Sequence, residues 1–416
     1  MKNLGQVWKR WRFNHQVTSR AAWSAFIIFI FLFGKAIPLP YTNAKSLVLQ
    51  NSTLNFAALA TGGNLSQLSL FSMGLGPWMS GMIIVNLLTQ AKGLGFDRMS
   101  EQRMDRISKG LTMALALVQA FVFVYSMKLT ATGNYPKVAV GITLITGTFF
   151  CVWLSNINAQ FGLGGIILIV LVNMIQSAAG TVVSGAEQLA GHSAWRMAMV
   201  VIGGVALLLL FAYLNVIMDR GEVRLPLVHI LVDSRYSSHS YLPVKLTPAG
   251  GMPVMFGMAL VTIPAYVCIF LEIFYPQNAA LKWGAANLTF DKLPGAILYV
   301  VLLFSLSMAF AYINVDPDRQ AKIMQRAGDY LVGTMPGTET ARQIKKTILR
   351  CGLVGALYTT IWAGGPMLLI GLFPDRLSIL MLPGYVMMVI GFSMQTVDQI
   401  NILQIRHRYQ PLLEEE

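Results

Sequence analysis

Long apolar runs free of charge recur along this chain, Ala21–Phe33 and Ile166–Val172 among them. Such runs leave few folding options. A backbone N–H or C=O without a partner is too costly in hydrocarbon, so a membrane is crossed only by helices of roughly 20 apolar residues or by closed barrels. Composition points the same way: 55% of residues are hydrophobic and 12% charged, against about 25% charged in soluble globular chains. Apolar segments between polar or Gly/Pro punctuation fall near 21–37, 70–90, 110–128, 138–155, 162–179, 197–217, 253–274, 295–313, 351–372 and 378–398. The chain is therefore predicted to be an all-α polytopic membrane protein of ten transmembrane helices in one membrane domain. The run after Arg20 lacks a small-residue cleavage site and is followed by further spans, so it is expected to be a retained span.

With alternate loops inside and the N-terminus cytoplasmic, most of the 31 Lys and Arg fall on the inner side. That is the positive-inside bias, and it predicts both termini in the cytoplasm. The net charge of +13 is thus read as loop bias toward anionic membrane lipids, with no nucleic-acid partner. Two inside loops, about 219–250 and 314–350, mix charge with Gly and Pro and should fold as hairpin-like projections. Cys151, Cys268 and Cys351 have neither paired nor metal-ligand spacing, which predicts buried, inert thiols and no metal site. The five histidines form no cluster, and GxxxxGK[ST], HExxH and GxSxG are all missing. The chain is expected to be no enzyme and to hold no cofactor.

Between the first two spans, Leu54–Ala60 is apolar but too short to cross a membrane, and it ends at Thr61-Gly62-Gly63. The next span is interrupted by Gly74, Gly76-Pro77 and Gly81. Two readings stand: a re-entrant segment lining a protein-enclosed cavity, or a helix kinked for packing. Ten spans split five and five around 180–196, so any repeat would be inverted.

Residues 60–88, ATGGNLSQLSLFSMGLGPWMSGMIIVNLL, resemble the SecY pattern in which a Gly-Gly turn leads into a broken second helix. Asp219-Arg220-Gly221-Glu222, Leu242-Pro243-Val244-Lys245 and Leu353-Val354-Gly355-Ala356-Leu357-Tyr358 agree in order and spacing, as do Asp316-Pro317 and Met335-Pro336-Gly337. The resemblance is to the SecY protein-conducting channel family and covers nearly the whole chain. It implies two inverted five-helix halves around a central pore, 1–180 and 197–416, with a short plug helix at about 54–65. Plug residues would be Leu54, Phe56, Leu59 and Leu65. The pore ring would be Leu75, Met79, Ile167, Leu171, Met255 and Met388, although Pro383-Gly384 before Met388 departs from the family pattern. The lateral gate would carry Ser80, Asn86 and Pro264. The two long loops would dock a SecA-type motor ATPase through Arg220 and Arg224. Met335 stands where the family usually has an arginine, a change that removes a forked cationic donor.

That substitution, the short Ser-rich first loop and the general divergence resemble the accessory SecY of Gram-positive bacteria. By that resemblance the partners would be an accessory SecA, SecE- or SecG-like small subunits or accessory secretion proteins, membrane lipids and a secretory polypeptide. The clients would be serine-rich glycoprotein adhesins, and the location the bacterial cytoplasmic membrane. A housekeeping SecY subunit is the near alternative. A small-solute secondary transporter would place ionisable residues near the bilayer midplane. Here Glu272 and Asp398 lie near segment ends. An intramembrane enzyme would need paired Asp, His or a nucleophile inside the spans.

Overall fold

A computed structural model describes residues 15–42, 68–90, 99–126, 133–190, 194–229, 240–275, 277–335, 337–373 and 377–409. The first five spans are α1 (His15–Ala36), α2 (Gly76–Gln90), α3 (Glu101–Ser126), α4 (Asn134–Phe161) and α5 (Leu168–Ala190), the last preceded by a 3-10 turn at Gly165–Ile167. Span six is α6 (Ala194–Arg220). It is followed by β1 (Glu222–His229), β2 (Tyr241–Lys245), α7 (Met252–Phe274) and a short α8 (Ala279–Asn287). Then come α9 (Leu293–Val315), α10 (Pro317–Ala327), β3 (Asp329–Leu331) and α11 (Thr338–Thr359). Span nine continues through a π-helical turn at Thr360–Gly364, α12 (Gly365–Leu368) and a 3-10 turn at Leu369–Gly371. Last are α13 (Leu377–Leu380) and α14 (Leu382–Tyr409).

All ten expected spans are thus occupied by helix. Eight are long and apolar enough to cross a membrane by themselves. The other two are α2, of 15 residues, and the apolar part of α5 within Gly165–Gly180. Span two is shorter than the predicted 70–90 because its first residues form turns instead of helix. The described residues group into two compact units, one from 1–180, 258–289 and 392–416, the other from 181–257 and 290–391.

In the first unit, Leu39, Leu68, Met73, Ala120, Phe123, Val124, Val140 and Leu144 make a buried apolar cluster, with Tyr266 of α7 packed against it. In the second, the two predicted projections fold together. β1 pairs antiparallel with β2, from Glu222↔Lys245 to Pro226↔Tyr241. Its other edge pairs with β3 of the second loop, Leu227↔Leu331 through His229↔Asp329, giving the order β2-β1-β3. Residues two apart on a strand share a face. Leu225 with Leu227, and Leu242 with Val244, accordingly pack on a core of Met324, Leu331, Ile344, Ile348 and Cys351. α10 joins that core through Met324, buries Pro317 and Ala321 as well, and turns Arg319, Lys322 and Arg326 outward. The two long loops are therefore one platform.

Candidate functional site

The turns before α2 set where its inward face begins. Ser69 N–H donates to Ser72 Oγ, and that hydroxyl donates back to the Ser69 carbonyl, both at 2.7 Å. Gly74 takes φ +55°, in the left-handed region that favours glycine. The segment is held to the end of α1 by Leu39 N–H donating to the Leu68 carbonyl (2.8 Å) and Leu70 N–H to that of Ile37 (3.0 Å). Phe71 stacks between Phe31 and Phe150, with 5.8 Å between centroids on each side. Two glycines make room: a β-carbon on Gly34 would overlap the Phe71 ring, and one on Gly147 would overlap the Leu70 carbonyl oxygen. So supported, Leu75 accepts from Met79 N–H (2.9 Å) as α2 starts. Leu75, Met79 and Ile83 repeat every four residues and are fully buried.

Ile167 and Leu171 are half-buried and follow a reversal built on buried polar groups. Ser24 Oγ of α1 donates to Asn158 Oδ1 (2.9 Å) and accepts from Leu163 N–H (2.7 Å). Asn158 Nδ2 donates to the carbonyls of Leu163 (2.8 Å) and Gly165 (2.6 Å). Gly164 N–H donates to Gln399 Oε1 of α14 (2.8 Å). A β-carbon on Gly162 would run into Asn158 and Ser24, so that position requires glycine. This network ties spans one, four and ten at the turn that aims Ile167. Sequence reading singled out Asn86 and passed over Asn158, which lies beyond the predicted end of span four at 155 and falls inside the helix only because α4 runs on to Phe161.

In the second unit Met255 and Met388 are both buried. Their helices meet without side chains between them: a β-carbon on Gly251 would lie 3.0 Å from Met388 Cα, and one on Gly391 would lie 2.7 Å from Gly251 N. Gly251 also accepts from Met255 N–H (3.4 Å). Met388 thus sits at the helix crossing, and Met255 one turn beyond it.

Of the residues expected at a lateral gate, Ser80 is buried and Asn86 half-buried, and the Asn86 carbonyl accepts from the Thr89 hydroxyl (2.7 Å). Gly81 beside them lets α2 approach α3, since a β-carbon there would be 2.9 Å from Thr112 Oγ1. Pro264 lies inside α7 and deprives the Leu260 carbonyl of its helical N–H. Next to it, Thr262 Oγ1 donates to the Ala259 carbonyl (2.7 Å). Beyond Pro264, Phe270 meets Phe121 of α3 edge to face at 5.6 Å. Leu54, Phe56, Leu59 and Leu65 lie outside the described residues.

Three of the stretches that carried the resemblance, 219–222, 242–245 and 353–358, converge at one corner of the second unit. Leu246, just after β2, donates its N–H to the Gly221 carbonyl (2.8 Å). A β-carbon on Gly355 would come within 2.6 Å of the Leu246 carbonyl oxygen. Lys245 Nζ lies 4.0 Å from Asp219, and Tyr358 OH donates to Asn215 Oδ1 (3.0 Å). Those motifs therefore join span six, span nine and the platform. Arg220 is exposed. Arg224 Nε donates to Glu222 Oε1 (2.8 Å), and its guanidinium stacks 4.6 Å from the Tyr241 ring. The hydrogen bond it donates to Glu222 raises its already high pKa further, so its charge is constant. Met335 is 73% exposed. Its N–H donates to Glu339 Oε2 (3.1 Å) and its carbonyl accepts from Thr340 Oγ1 (2.8 Å), leaving the thioether free on the surface.

Cys151 and Cys351 are buried as expected, whereas Cys268 is only half-buried, against Gly284 of α8. Among the described residues no three His, Cys, Asp or Glu converge as a metal site.

Residues 69–397 match the SecY family model. The accessory Sec system protein translocase subunit SecY2 of Streptococcus gordonii is 35% identical over 96% of this chain and 99% of that protein. The subunit of the same description from Leuconostoc gelidum subsp. gasicomitatum is 30% identical over 96% and 97%. In fold the chain is similar to a solved protein-conducting channel, with a TM-score of 0.70 at 16% identity over 94% of this chain and 93% of that one. It is also similar to Sec61 in the canine ribosome-channel complex, with a TM-score of 0.67 at the same identity and coverage. This multi-span membrane protein belongs to the SecY family, its similarity lying with the accessory SecY2 subunits.

Proposed function

We propose that the chain is the channel subunit of an accessory protein translocase, passing unfolded secretory polypeptides across the bacterial cytoplasmic membrane and laterally into it. The observation that carries this reading is similarity to SecY2 translocase subunits over almost the full length. In this reading the constriction would be formed by Leu75, Met79, Ile167, Leu171, Met255 and Met388. An aliphatic constriction excludes water and ions by dewetting and yields when a chain threads through it. Three methionines among the six make such a seal deformable, since Met is unbranched and has three rotatable bonds. Leu54, Phe56, Leu59 and Leu65 would plug it, and Ser80, Asn86 and Pro264 would border the lateral gate. Both termini would be cytoplasmic.

The chain carries no nucleotide-binding motif, so in this reading it does no chemistry and takes its energy from a SecA-type motor. The platform formed by β1, β2, β3 and α10 is the docking surface, with Arg220, Arg224 and exposed Met335 on it. Serine-rich glycoproteins are the proposed clients, and SecE- or SecG-like subunits the proposed partners. The deciding experiment is cross-linking to a stalled export substrate from single cysteines at Met79 and Met255. Cys151, Cys268 and Cys351 are replaced beforehand, and exposed Thr146 of α4 is the lipid-facing control. Cross-links above the control that require a SecA-type motor and ATP are expected. Equal labelling at all three positions with a proven client would rule out a polypeptide pore.

The exposed thioether also yields an expectation about motor choice. Met335→Arg should leave the unfolding temperature unchanged, because the side chain contributes little packing. It should raise the ATPase stimulation that the platform gives a housekeeping SecA. Unaltered stimulation would place motor selection elsewhere on the platform.

A further inference from the structure

Outside the features already assigned, a groove of about 370 Å3 runs between α3 and α4. Its floor is Ala120 and Gly141, where a β-carbon on Gly141 would have only Val124 Cγ2 nearby, at 3.9 Å. Its walls are Leu117 and Phe121 on one side and Val138 and Ile142 on the other, all exposed. They lie in membrane-crossing segments, so the groove opens toward lipid. Its polar residues gather at one end, where α3 stops at Ser126 and α4 begins at Asn134: Tyr125, Asn134 and Lys137. Lys137 is exposed and makes no ion pair among the described residues.

The dimensions limit what fits. From Leu117 to Tyr125, and from Lys137 to Ile145, each wall rises about 12 Å at roughly 1.5 Å per residue. That is close to one leaflet's share of a hydrocarbon core about 30 Å thick. A transmembrane helix of a partner would need a seam of the full thickness. A single acyl chain needs only a leaflet. At headgroup depth it would meet a cation and an amphipathic tyrosine, the residue types that favour the interface.

We propose that this groove is a phospholipid site, holding one acyl chain against Ala120 and Gly141 with the phosphate of an anionic headgroup at Lys137 Nζ. The inference rests on membrane embedding alone and stands apart from the channel reading. The test uses the full chain in neutral detergent, with phosphatidylglycerol or phosphatidylcholine added and retained lipid read by native mass spectrometry. Phosphatidylglycerol should be retained about fivefold over phosphatidylcholine, the factor expected from one cation near a lipid surface. Lys137→Gln should abolish that preference, and Gly141→Leu should displace both lipids. Lipid-free unfolding temperatures verify that both variants fold. Equal retention of the two lipids by the wild type, or full retention in Gly141→Leu, would overturn the proposal. So would a cross-link from Val138→Cys to a small membrane protein in cells.

Discussion

Replacing Gly147 with alanine is expected to unseat the turn that leads into α2. The added methyl would overlap the Leu70 carbonyl oxygen, and Leu70 cannot retreat because its own N–H is bonded to Ile37. Overpacking usually costs about 1–3 kcal/mol when side chains can shift, and more when they cannot. Here the obstacle is backbone, so the upper end of that range is expected, with Gly147→Val worse still. Denaturant unfolding in micelles measures the loss. Thiol reactivity of a cysteine at Leu75 reports whether the face of α2 has moved. A Gly147→Ala protein with wild-type stability and an unreactive Leu75 cysteine would show that the 68–75 turns are not seated as described.

The second large effect is expected from Asn158→Ala. It removes three hydrogen bonds, with Ser24, Leu163 and Gly165. At roughly 0.6–1.7 kcal/mol for each such bond within a membrane protein, the loss is about 2–5 kcal/mol. Asn158→Asp should recover only the bond from Ser24, because a carboxylate cannot donate to the two carbonyls. An order of stability Asn, then Asp, then Ala would show that both contribute, the step from Asn to Asp measuring the bonds to the carbonyls and the step from Asp to Ala the bond from Ser24. If Asp and Ala are equally destabilised, the Ser24 bond contributes nothing. On the proposed channel reading the same substitution loosens the turn that aims Ile167, so Asn158→Ala should raise ion leakage through the resting protein. Wild-type leakage would separate the role of Asn158 in stability from any role in the seal.

Asn158 and Gly147 also show where sequence reading reaches its limit. Gly147 looked like an ordinary residue of span four and Asn158 lay just past its predicted end, because the importance of each depends on partners far away in the chain: Leu70 for one, Ser24 for the other. The corner motifs were legible as a pattern, yet their shared purpose was hidden until Gly221, Leu246 and Gly355 were seen in contact. Likewise the two long loops were expected as separate projections. Only pairing of Leu227, Val228 and His229 with β3 makes them one sheet. Nothing local in Asp329–Leu331 marks it as the strand that would complete β1. The π-helical turn at Thr360–Gly364 was equally invisible, since it depends on hydrogen bonding and packing within the folded span and not on composition.

By itself the sequence determined the number of spans, the membrane as solvent and the family. Each follows from near-neighbour facts, because a helix satisfies its own backbone over roughly 20 apolar residues and that requirement is written into every crossing segment. Tertiary structure alone decided where α2 begins, which helices approach to backbone contact, and which polar groups inside the spans have partners. Those outcomes turn on close approaches and hydrogen bonds between residues distant in sequence, and such interactions have no local signature. Ser24 meeting Asn158, and Gly251 meeting Gly391, exist only once the helices have packed.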